Sequence, residues 1–382
     1  MSDSVPKQIK PNSERRLLWA SAAFYLLIAF EFFYMASPFA AYLYSVYGPG
    51  LDGLQNFGLS GWLLWFFLPH LVADTQSKLV NYAEPIGITL FLVGFIGFLI
   101  GAFQIYRAKL LRIGMVQGGV YQYIRHPQYT ALIIASIGLL LIWPRFLVLF
   151  STITMIFAYI VLARAEEKIC AQNFTGYSAY QSRTGMFLPR FFPRIYTPNI
   201  RSKPIRFIVW VCLFVLLTAV ATLIAFAIRN HAIKSLYTYK TDNGVYLSVT
   251  MLSNHDMARI AKTSQNHTDV NKVLTSLDSN DRFIAYIVPT QMYISEIPMQ
   301  LPAGEKFTHT VPESRDPDQY KVIYARAEFA GKGLPAGANI LKYAVHKQAL
   351  IEVHVRMNNL SIERVLAPPA NSYYPDVQVP LF

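Results

Sequence analysis

Residues 125–168 read RHPQYTALIIASIGLLLIWPRFLVLFSTITMIFAYIVLARAEEK. Two uncharged apolar runs, 128–144 and 146–163, stand on either side of Arg145. Each run is close to the roughly 20 helical residues that cross the hydrocarbon core of a bilayer. The stretch therefore predicts a tight hairpin of two membrane helices, with ionisable residues at both of its free ends.

Other apolar runs extend the membrane region on both sides of this hairpin. The runs 17–30, 86–106 and 207–228 are also typical of membrane helices in length and absence of charge. The run 54–72 contains Gly58, Gly61, Pro69 and His70, so it is either a full span or an interfacial or re-entrant piece. No such run follows residue 229. We therefore predict an all-α membrane domain over 1–230 with about five to six membrane helices, followed by a soluble domain over 231–382.

The composition supports this division and excludes one class of partner. Of the 382 residues, 53% are hydrophobic and only 15% are charged, which is unusual for a soluble protein. The net charge of +12 would suit a nucleic-acid-binding protein, but the basic residues flank apolar runs and form no patch with interleaved aromatic residues. The preference of basic residues for the cytoplasmic side of a membrane explains better why they flank the apolar runs. We therefore expect no nucleic-acid partner.

Basic residues also predict the orientation of the chain. One cluster precedes the run 17–30, a second follows 86–106, and a third lies between the hairpin and 207–228. All three clusters should face the cytoplasm, which requires an even number of crossings between Arg16 and Arg107. This works when 54–72 does not cross fully. The run 207–228 then carries residues 231–382 to the extracytoplasmic side.

Residues 231–382 predict a small α+β domain. Strand-like stretches at 244–251, 283–288, 320–327 and 350–355 alternate with helix-like stretches at 255–264 and 269–277. The histidines of this domain show no metal-ligand spacing with one another or with carboxylates, so we predict no metal site. We expect any partner of this domain to be extracytoplasmic.

The free ends of the hairpin carry the residues that indicate chemistry. They are Arg125, His126 and Tyr129 at one end, and Arg164, Glu166 and Glu167 at the other. Because the two helices start and finish together, these groups should lie at one membrane face. Ionisable residues at that depth are costly without partners, so they indicate a site. Taken alone, Arg125 and His126 would suit a membrane anchor before a helix that starts at Pro127, and the two glutamates would suit a solvated helix end.

The full pattern resembles a known family. The residues Gly119, Tyr121, Arg125, His126, Pro127 and Tyr129, followed by a helical hairpin and the pair Glu166 and Glu167, resemble the isoprenylcysteine carboxyl methyltransferase superfamily. That superfamily also contains phospholipid N-methyltransferases and bacterial thiol methyltransferases. The resemblance covers about 86–193, with its core motif in 107–193. It implies a membrane methyltransferase that binds S-adenosylmethionine in a cytosolic pocket.

The resemblance also assigns roles by matching position. It implies that the cofactor contacts Ile113, Gly114, Met115, Val116, Tyr121, His126, Pro127, Gln128, Tyr129 and Glu166. These residue types suit a ligand whose sulfur is positive, since aromatic faces attract cations, while polar donors and carboxylates recognise its other groups. The candidate catalytic residues are Arg125 and Arg164, either of which would orient the acceptor.

Two departures from the family pattern leave an alternative open. The family's acceptor-binding arginine falls on Leu162 here, and the nearest arginine is Arg164. Tyr177 and Tyr180 follow Phe174 one residue earlier than the family pattern requires. The alternative is a catalytically degenerate methyltransferase fold that anchors the soluble domain or senses the cofactor.

The leading prediction is methyl transfer from S-adenosylmethionine to a lipophilic or membrane-partitioned acceptor at the cytosolic membrane face. Alignment of the reacting atoms and exclusion of water would supply most of the catalysis. We place the protein in a bacterial inner membrane in preference to the endoplasmic reticulum. The sequence leaves the acceptor atom open.

Overall fold

The structure is a computed structural model, which describes residues 19, 61–111, 114–192, 202–294, 296–297, 299–300, 311, 313, 315–329, 335–369 and 381–382. These residues fall into two compact units. The first contains 84–143 and 147–222, and the second contains 61–83, 144–146 and the described residues from 223 onward. Of the predicted helix 17–30 only Trp19 is described, and Ile113 lies outside the described residues.

Helices dominate the described residues up to 235. They are α1 (Lys78–Asn81), α2 (Ala83–Leu110), α3 (Pro127–Ile142), α4 (Phe146–Asn173), α5 (Tyr177–Arg183) and α6 (Lys203–Ser235). Four of the predicted apolar runs are therefore helical. The last helix begins before 207 and continues past 228, to Ser235.

Three helical stretches in the described residues are long and apolar enough to cross a membrane: Lys78–Ile105, Phe146–Asn173 and Lys203–Ser235. The apolar helix α3 has 16 residues and is therefore only about 24 Å long, less than the usual hydrocarbon thickness. The described residues thus fit an integral membrane protein. The expected count of about five to six membrane helices is not confirmed.

Small residues set the distance between α2 and α3. A Cβ atom added at Gly94 would lie 2.4 Å from the backbone nitrogen of Ala135, and one added at Gly138 would lie 2.4 Å from that of Phe91. Close approach of helix backbones through small residues is a common way to pack membrane helices. This contact brings the C-terminal half of α2 beside the start of α3, where Gly101 faces Gln128.

Aromatic side chains join α4 to α6 within the first unit. Phe157 lies 5.1 Å from Phe214 and 5.9 Å from Trp210, measured between ring centroids, and Phe150 lies 6.1 Å from Phe214. Later residues of α4 therefore meet earlier residues of α6. The two helices are antiparallel.

The turn between α3 and α4 is enclosed within the second unit. The backbone nitrogen of Phe67 donates to the carbonyl of Pro144 (2.9 Å), and that of Phe146 donates to the carbonyl of Trp65 (3.1 Å). Arg145 is fully buried and its guanidinium lies 4.9 Å from the ring centroid of Phe66. The basic residue of the turn is thus not a solvated anchor.

The predicted membrane piece 54–72 is described from residue 61 onward. It contains a short 3-10 helix at Gly61–Leu64 and no longer helix in that part. Further along, the backbone nitrogen of His70 donates to the carbonyl of Phe382 (2.8 Å), and that of Ala73 donates to Val249 (2.8 Å). Residues of this segment are therefore bound to the soluble domain.

In the described part of the predicted soluble domain, which we continue to call the soluble domain, the strands form a six-stranded sheet in the order β1 to β6. Its strands are β1 (Tyr237–Lys240), β2 (Gly244–Ser248), β3 (Arg282–Pro289), β4 (Gln319–Phe329), β5 (Ala344–Arg356) and β6 (Ser361–Leu366), and its helices are α7 (Asn254–Gln265), α8 (Thr268–Thr275) and α9 (Asn339–Tyr343). Among the described strands, β2 and β3 are the one parallel pair, and α7 and α8 provide the crossover between them. The predicted α+β pattern is present, with each predicted strand and helix at its expected place.

Both faces of this sheet are covered by apolar residues. On one face, Met257, Ile260 and Ala261 of α7 lie in one buried cluster with residues of β2, β3, β4 and β5. Their spacing forms one apolar stripe along the helix. The N-terminus of α7 is capped by Ser253, whose side chain accepts a hydrogen bond from the backbone nitrogen of Asp256 (3.0 Å).

Candidate functional site

A cavity of about 280 Å³ lies within the first unit, between the end of α2, the start of α3, the end of α4 and α5. Its lining contains Ile105, Ala108, Gly114, Met115, Val116, Tyr121, Arg125, His126, Gln128, Tyr129, Glu166, Cys170, Phe174, Tyr177 and Tyr180. The volume lies near the lower end of the range for small-molecule sites. The cavity therefore brings together most of the residues that the sequence pattern indicated.

The segment before α3 approaches the cavity through two glycines. Gly114 and Gly119 have φ values of 82° and 63°, a left-handed conformation that favours glycine. A Cβ atom at Gly119 would also lie 2.3 Å from the side-chain nitrogen of Gln104. A larger residue at position 119 would be strained by the positive φ and would push the Gln104 side chain aside, at the first residue of the short 3-10 helix Gly119–Gln122 that contains the buried Tyr121.

Residues 185–187, which follow α5, bind the backbone of Arg125 and His126 at the start of α3. The backbone nitrogen of Arg125 donates to the carbonyl of Gly185 (2.9 Å), and that of His126 donates to Met186 (3.1 Å). The hydroxyl of Thr130 donates to the carbonyl of Phe187 (2.9 Å). These bonds hold the start of α3 in place.

Arg125 and Glu167 form a buried ion pair. The Nε of Arg125 donates to Oε1 of Glu167 at 2.6 Å, and both side chains are less than a tenth exposed. Arg125 also donates to the carbonyl oxygens of Gln181 (3.1 Å) and Thr184, while the side-chain nitrogen of Gln181 donates to Oε2 of Glu167 (3.0 Å). A buried pair needs such additional hydrogen bonds to offset desolvation. Arg125 therefore positions α4 and α5 beside the cavity.

His126 stands between two carboxylates. Its Nδ1 lies 3.5 Å from Oε2 of Glu166 and its Nε2 lies 3.4 Å from Oε1 of Glu167. Burial alone would lower the pKa of His126, but the hydrogen bonds and negative charges of the two carboxylates outweigh it and raise the pKa above its usual value. The imidazole is thus held closer to its protonated form than an exposed histidine.

An aromatic stack continues from His126 into the helix pair. The rings of His126 and Tyr129 are parallel within 4° with centroids 5.5 Å apart, and Tyr129 stacks on Tyr159 at 4.6 Å. The hydroxyl of Tyr129 donates to Oε1 of Glu166 at 2.5 Å, the length of a charge-assisted hydrogen bond. The side chain of Glu166 remains 47% exposed. Its carboxylate therefore keeps acceptor positions available for a ligand.

Two tyrosines of α5 complete the cavity. Tyr177 and Tyr180 both line it and are buried, although their spacing from Phe174 differs from the family pattern. The hydroxyl of Tyr180 donates to the carbonyl of Tyr121 (2.7 Å). Burial raises the pKa of Tyr180 to about 12 and raises that of Tyr177. Both hydroxyls therefore stay protonated and can donate hydrogen bonds.

Sequence reasoning did not select four other lining residues, Ile105, Ala108, Cys170 and Phe174. Two of them could have been predicted from the helical period. Cys170 and Phe174 follow Glu166 at intervals of four residues, so they extend the helix face on which Glu166 lies. The positions of Ile105 and Ala108 depend on how α2 packs. No local pattern indicates them.

Two of the candidate residues lie away from the cavity lining. Pro127 is the first residue of α3 and is buried. The guanidinium of Arg164 lies 4.5 Å from the ring centroid of Trp210 on α6, and Arg164 is exposed to the surroundings. The structure thus does not bring Arg164 together with the other site residues.

The chemistry of the lining fits a sulfonium cofactor. Aromatic faces from α3, α5 and the segment before α3 surround the cavity, and the half-exposed Glu166 supplies a carboxylate. Within the residues that the structure describes, no group of three histidine, cysteine, aspartate or glutamate side chains could hold a metal ion.

Comparison with known proteins gives one match. Residues 86–176 match the model of the phospholipid methyltransferase family. This confirms the resemblance to the membrane methyltransferase superfamily, and the matched part runs from α2 through the hairpin to the residue before α5. No curated protein and no solved structure matches the chain.

Proposed function

With the family match over residues 86–176 as the premise, we propose that this protein transfers a methyl group from S-adenosylmethionine to a lipophilic or membrane-partitioned acceptor at the cytosolic membrane face. The observation that carries the proposal is the cluster of Tyr129, His126 and Glu166 at the cavity. It lies inside the matched segment and combines aromatic faces with a carboxylate that is partly exposed.

When bound, S-adenosylmethionine supplies a methyl group attached to a positively charged sulfur. The aromatic faces of Tyr121 and Tyr129 would attract this charge. Glu166 would accept hydrogen bonds from the ligand's ammonium or hydroxyl groups, and Tyr129 holds that carboxylate in place. The raised pKa of His126 favours a ring that can donate toward an anionic group.

The backbone of residues 114–116 would provide polar groups on the opposite wall of the cavity. Gly114 has no side chain, and its Cβ position has no neighbour within 4 Å, so a ligand can approach the backbone there. The neutral hydroxyl of Tyr177 adds a donor from α5, while that of Tyr180 is already bound to the carbonyl of Tyr121. These residues would bind and orient the cofactor.

The protein's contribution to catalysis would be positional. Alignment of an acceptor atom with the methyl group converts a bimolecular step into one within a single complex, and exclusion of water protects the reactive sulfonium. We assign Arg125 a positioning role, because its donors are bound to Glu167 and to the carbonyl oxygens beside α5. An acceptor would reach the cavity from the bilayer.

The direct test uses the purified full-length protein in a mild detergent. Calorimetric titration with S-adenosylhomocysteine should show one site, and membrane lipid extract should gain label from methyl-labelled S-adenosylmethionine. Binding without transfer to any extract would favour the alternative, a degenerate fold that senses the cofactor, which the family match does not favour. No binding to protein with an intact unfolding transition would refute the proposed function.

A further inference from the structure

Four exposed basic residues lie on α4 and α6, near the level at which Arg164 contacts Trp210. Arg164 and Lys168 are one turn apart on α4, while Arg206 lies one turn before Trp210 and close to Lys203 on α6. Residues four positions apart share a helix face. The cations on each helix therefore point in nearly the same direction.

The contacts between α4 and α6 place the basic residues of the two helices at the same height along the helix axes. Phe157 meets both Phe214 and Trp210, and the guanidinium of Arg164, two turns further along α4, lies 4.5 Å from the ring centroid of Trp210. Because the helices are antiparallel, the turn beyond Arg164 on α4 lies beside the turn before Trp210 on α6. Lys168 and Arg206 occupy those two turns.

This group of cations, which we call the α4–α6 basic cluster, has no acidic partner within ion-pair distance among the described residues. Arg164, Lys168, Lys203 and Arg206 are all exposed. The two neighbouring carboxylates of α4 are directed elsewhere, with Glu166 beside His126 and Glu167 bound to Arg125. An exposed set of like charges without counter-charges repels itself and favours an anion.

The cluster lies where two apolar helical stretches end. On α4 it follows the run 146–163, and on α6 it precedes the run 207–228. At this depth a membrane protein meets the headgroups of the lipids. Basic pockets between membrane helices at that level bind anionic headgroups.

We propose that the α4–α6 basic cluster binds the headgroup of an anionic phospholipid. Arg164 presents a planar fork of donors to the phosphate and is held in place by the indole ring of Trp210. Arg206, Lys168 and Lys203 supply the surrounding positive charge, and the acyl chains lie along the apolar surfaces of α4 and α6. This site is separate from the cavity and does not depend on the proposed methyl transfer.

The test compares lipid binding by full-length variants in a mild detergent, measured by native mass spectrometry. The probes are phosphatidylglycerol, which is anionic, and phosphatidylcholine, which is neutral overall. The double variant R164Q/R206Q should bind phosphatidylglycerol about 25-fold more weakly, since each basic residue near an anionic headgroup contributes roughly five-fold. Binding of phosphatidylcholine should change little.

The matched control is R107Q/R183Q, which removes two exposed arginines outside the cluster and should keep the wild-type affinity for phosphatidylglycerol. Equal losses in both double variants, or no loss in R164Q/R206Q, would overturn the proposal. Displacement of the lipid by an equal concentration of inorganic phosphate would also overturn it, because the site would then bind free phosphate.

A parallel titration with S-adenosylhomocysteine separates this proposal from the proposed function. R164Q/R206Q should bind that ligand as the wild type does, which also shows that the variant is folded. If the wild type binds phosphatidylglycerol selectively but binds no S-adenosylhomocysteine, the lipid site stands and the proposed function fails.

Discussion

The two units each contain a buried cluster of a basic residue, a histidine and a glutamate. In the soluble domain, Nε2 of His354 lies 2.7 Å from Oε1 of Glu352, and Nζ of Lys321 lies 3.8 Å from Oε2 of the same carboxylate. At the cavity, His126 and Arg125 surround Glu167 in a similar way. Residue types alone do not distinguish the two clusters.

Their surroundings do distinguish them. The side chains of Lys321, Glu352 and His354 are at most 6% exposed, and the strands β4 and β5 carry them side by side. The cavity cluster is continued by Glu166, whose side chain is 47% exposed and lines an open volume. An ion cluster that has a half-exposed carboxylate beside a cavity can bind a ligand, whereas an enclosed one contributes to folding specificity.

The largest expected difference between the two regions is the side of the membrane that each faces. Arg201, Lys203 and Arg206 precede the run 207–228, and only Arg229 and Lys234 follow it closely, so we predict the cavity in the cytoplasm and the soluble domain outside. In sealed vesicles of a cysteine-free background, Ser182→Cys and Ser276→Cys should react with an impermeant maleimide from opposite sides.

Labelling of both positions from one side would contradict this prediction and would make 207–228 a helix that does not cross. Permeabilised vesicles provide the control, since both cysteines should then react. Ser182 and Ser276 are exposed in the structure, so the reagent should reach a cysteine at either position.

The next largest effect concerns the enclosed cluster. Glu352→Gln keeps the shape of the side chain but removes the buried negative charge that faces Lys321 and His354, and we expect a loss of about 3 to 5 kcal/mol of stability. Thermal unfolding of the purified protein measures it. The matched control is Glu363→Gln, which breaks the exposed pair with Arg356 and should cost at most about 1 kcal/mol. Equal losses of stability in the two variants would contradict the burial of Glu352.

At the cavity the expected effect is on binding rather than on stability. His126→Ala and Glu166→Ala each remove a polar group from a partly desolvated site, and each should weaken binding of S-adenosylhomocysteine by about 1 to 3 kcal/mol, or roughly 5- to 150-fold. Calorimetry measures the change. His354→Ala in the soluble domain is the control and should leave the affinity of the folded protein unchanged. Wild-type affinity in both cavity variants would refute the assignment of these residues.

The smallest expected effect is a dependence of stability on pH. The carboxylates raise the pKa of His126 in the folded protein above its usual value of 6.5. The stabilisation from this histidine is therefore complete below about pH 6.5 and is lost as pH rises through the raised pKa. His126→Gln should remove this component from a series of unfolding curves measured between mildly acidic and mildly alkaline pH. An unchanged pH profile would show that His126 does not gain protons on folding.

The comparison of the two regions also shows which predictions depend on local sequence. The long apolar helices were predictable because a run of about 20 residues without charge favours a helix that crosses a bilayer. The motif from Arg125 to Tyr129 was predictable as a site, because ionisable side chains at a membrane boundary are costly unless they have partners there. The strands of the soluble domain followed from alternation and flanking turns.

Other features required long-range packing. The bonds from Arg125 to Glu167 and to the carbonyls beside α5 join residues far apart in sequence. The binding of residues 70–74 to the predicted soluble domain was hidden by the apolar composition of this region, which suits a membrane piece and a protein core equally.

The sequence by itself determined the helical hairpin, the membrane character of the first part, the α+β character of the second, and the motif that resembles a methyltransferase family. Tertiary structure decided which of these residues meet. It placed Tyr177 and Tyr180 at the cavity despite their altered spacing and turned Arg164 toward Trp210. The reason is physical: hydropathy and local propensity fix where a helix runs, but the direction of a side chain in space depends on the phase of the helix and on the surface against which it packs.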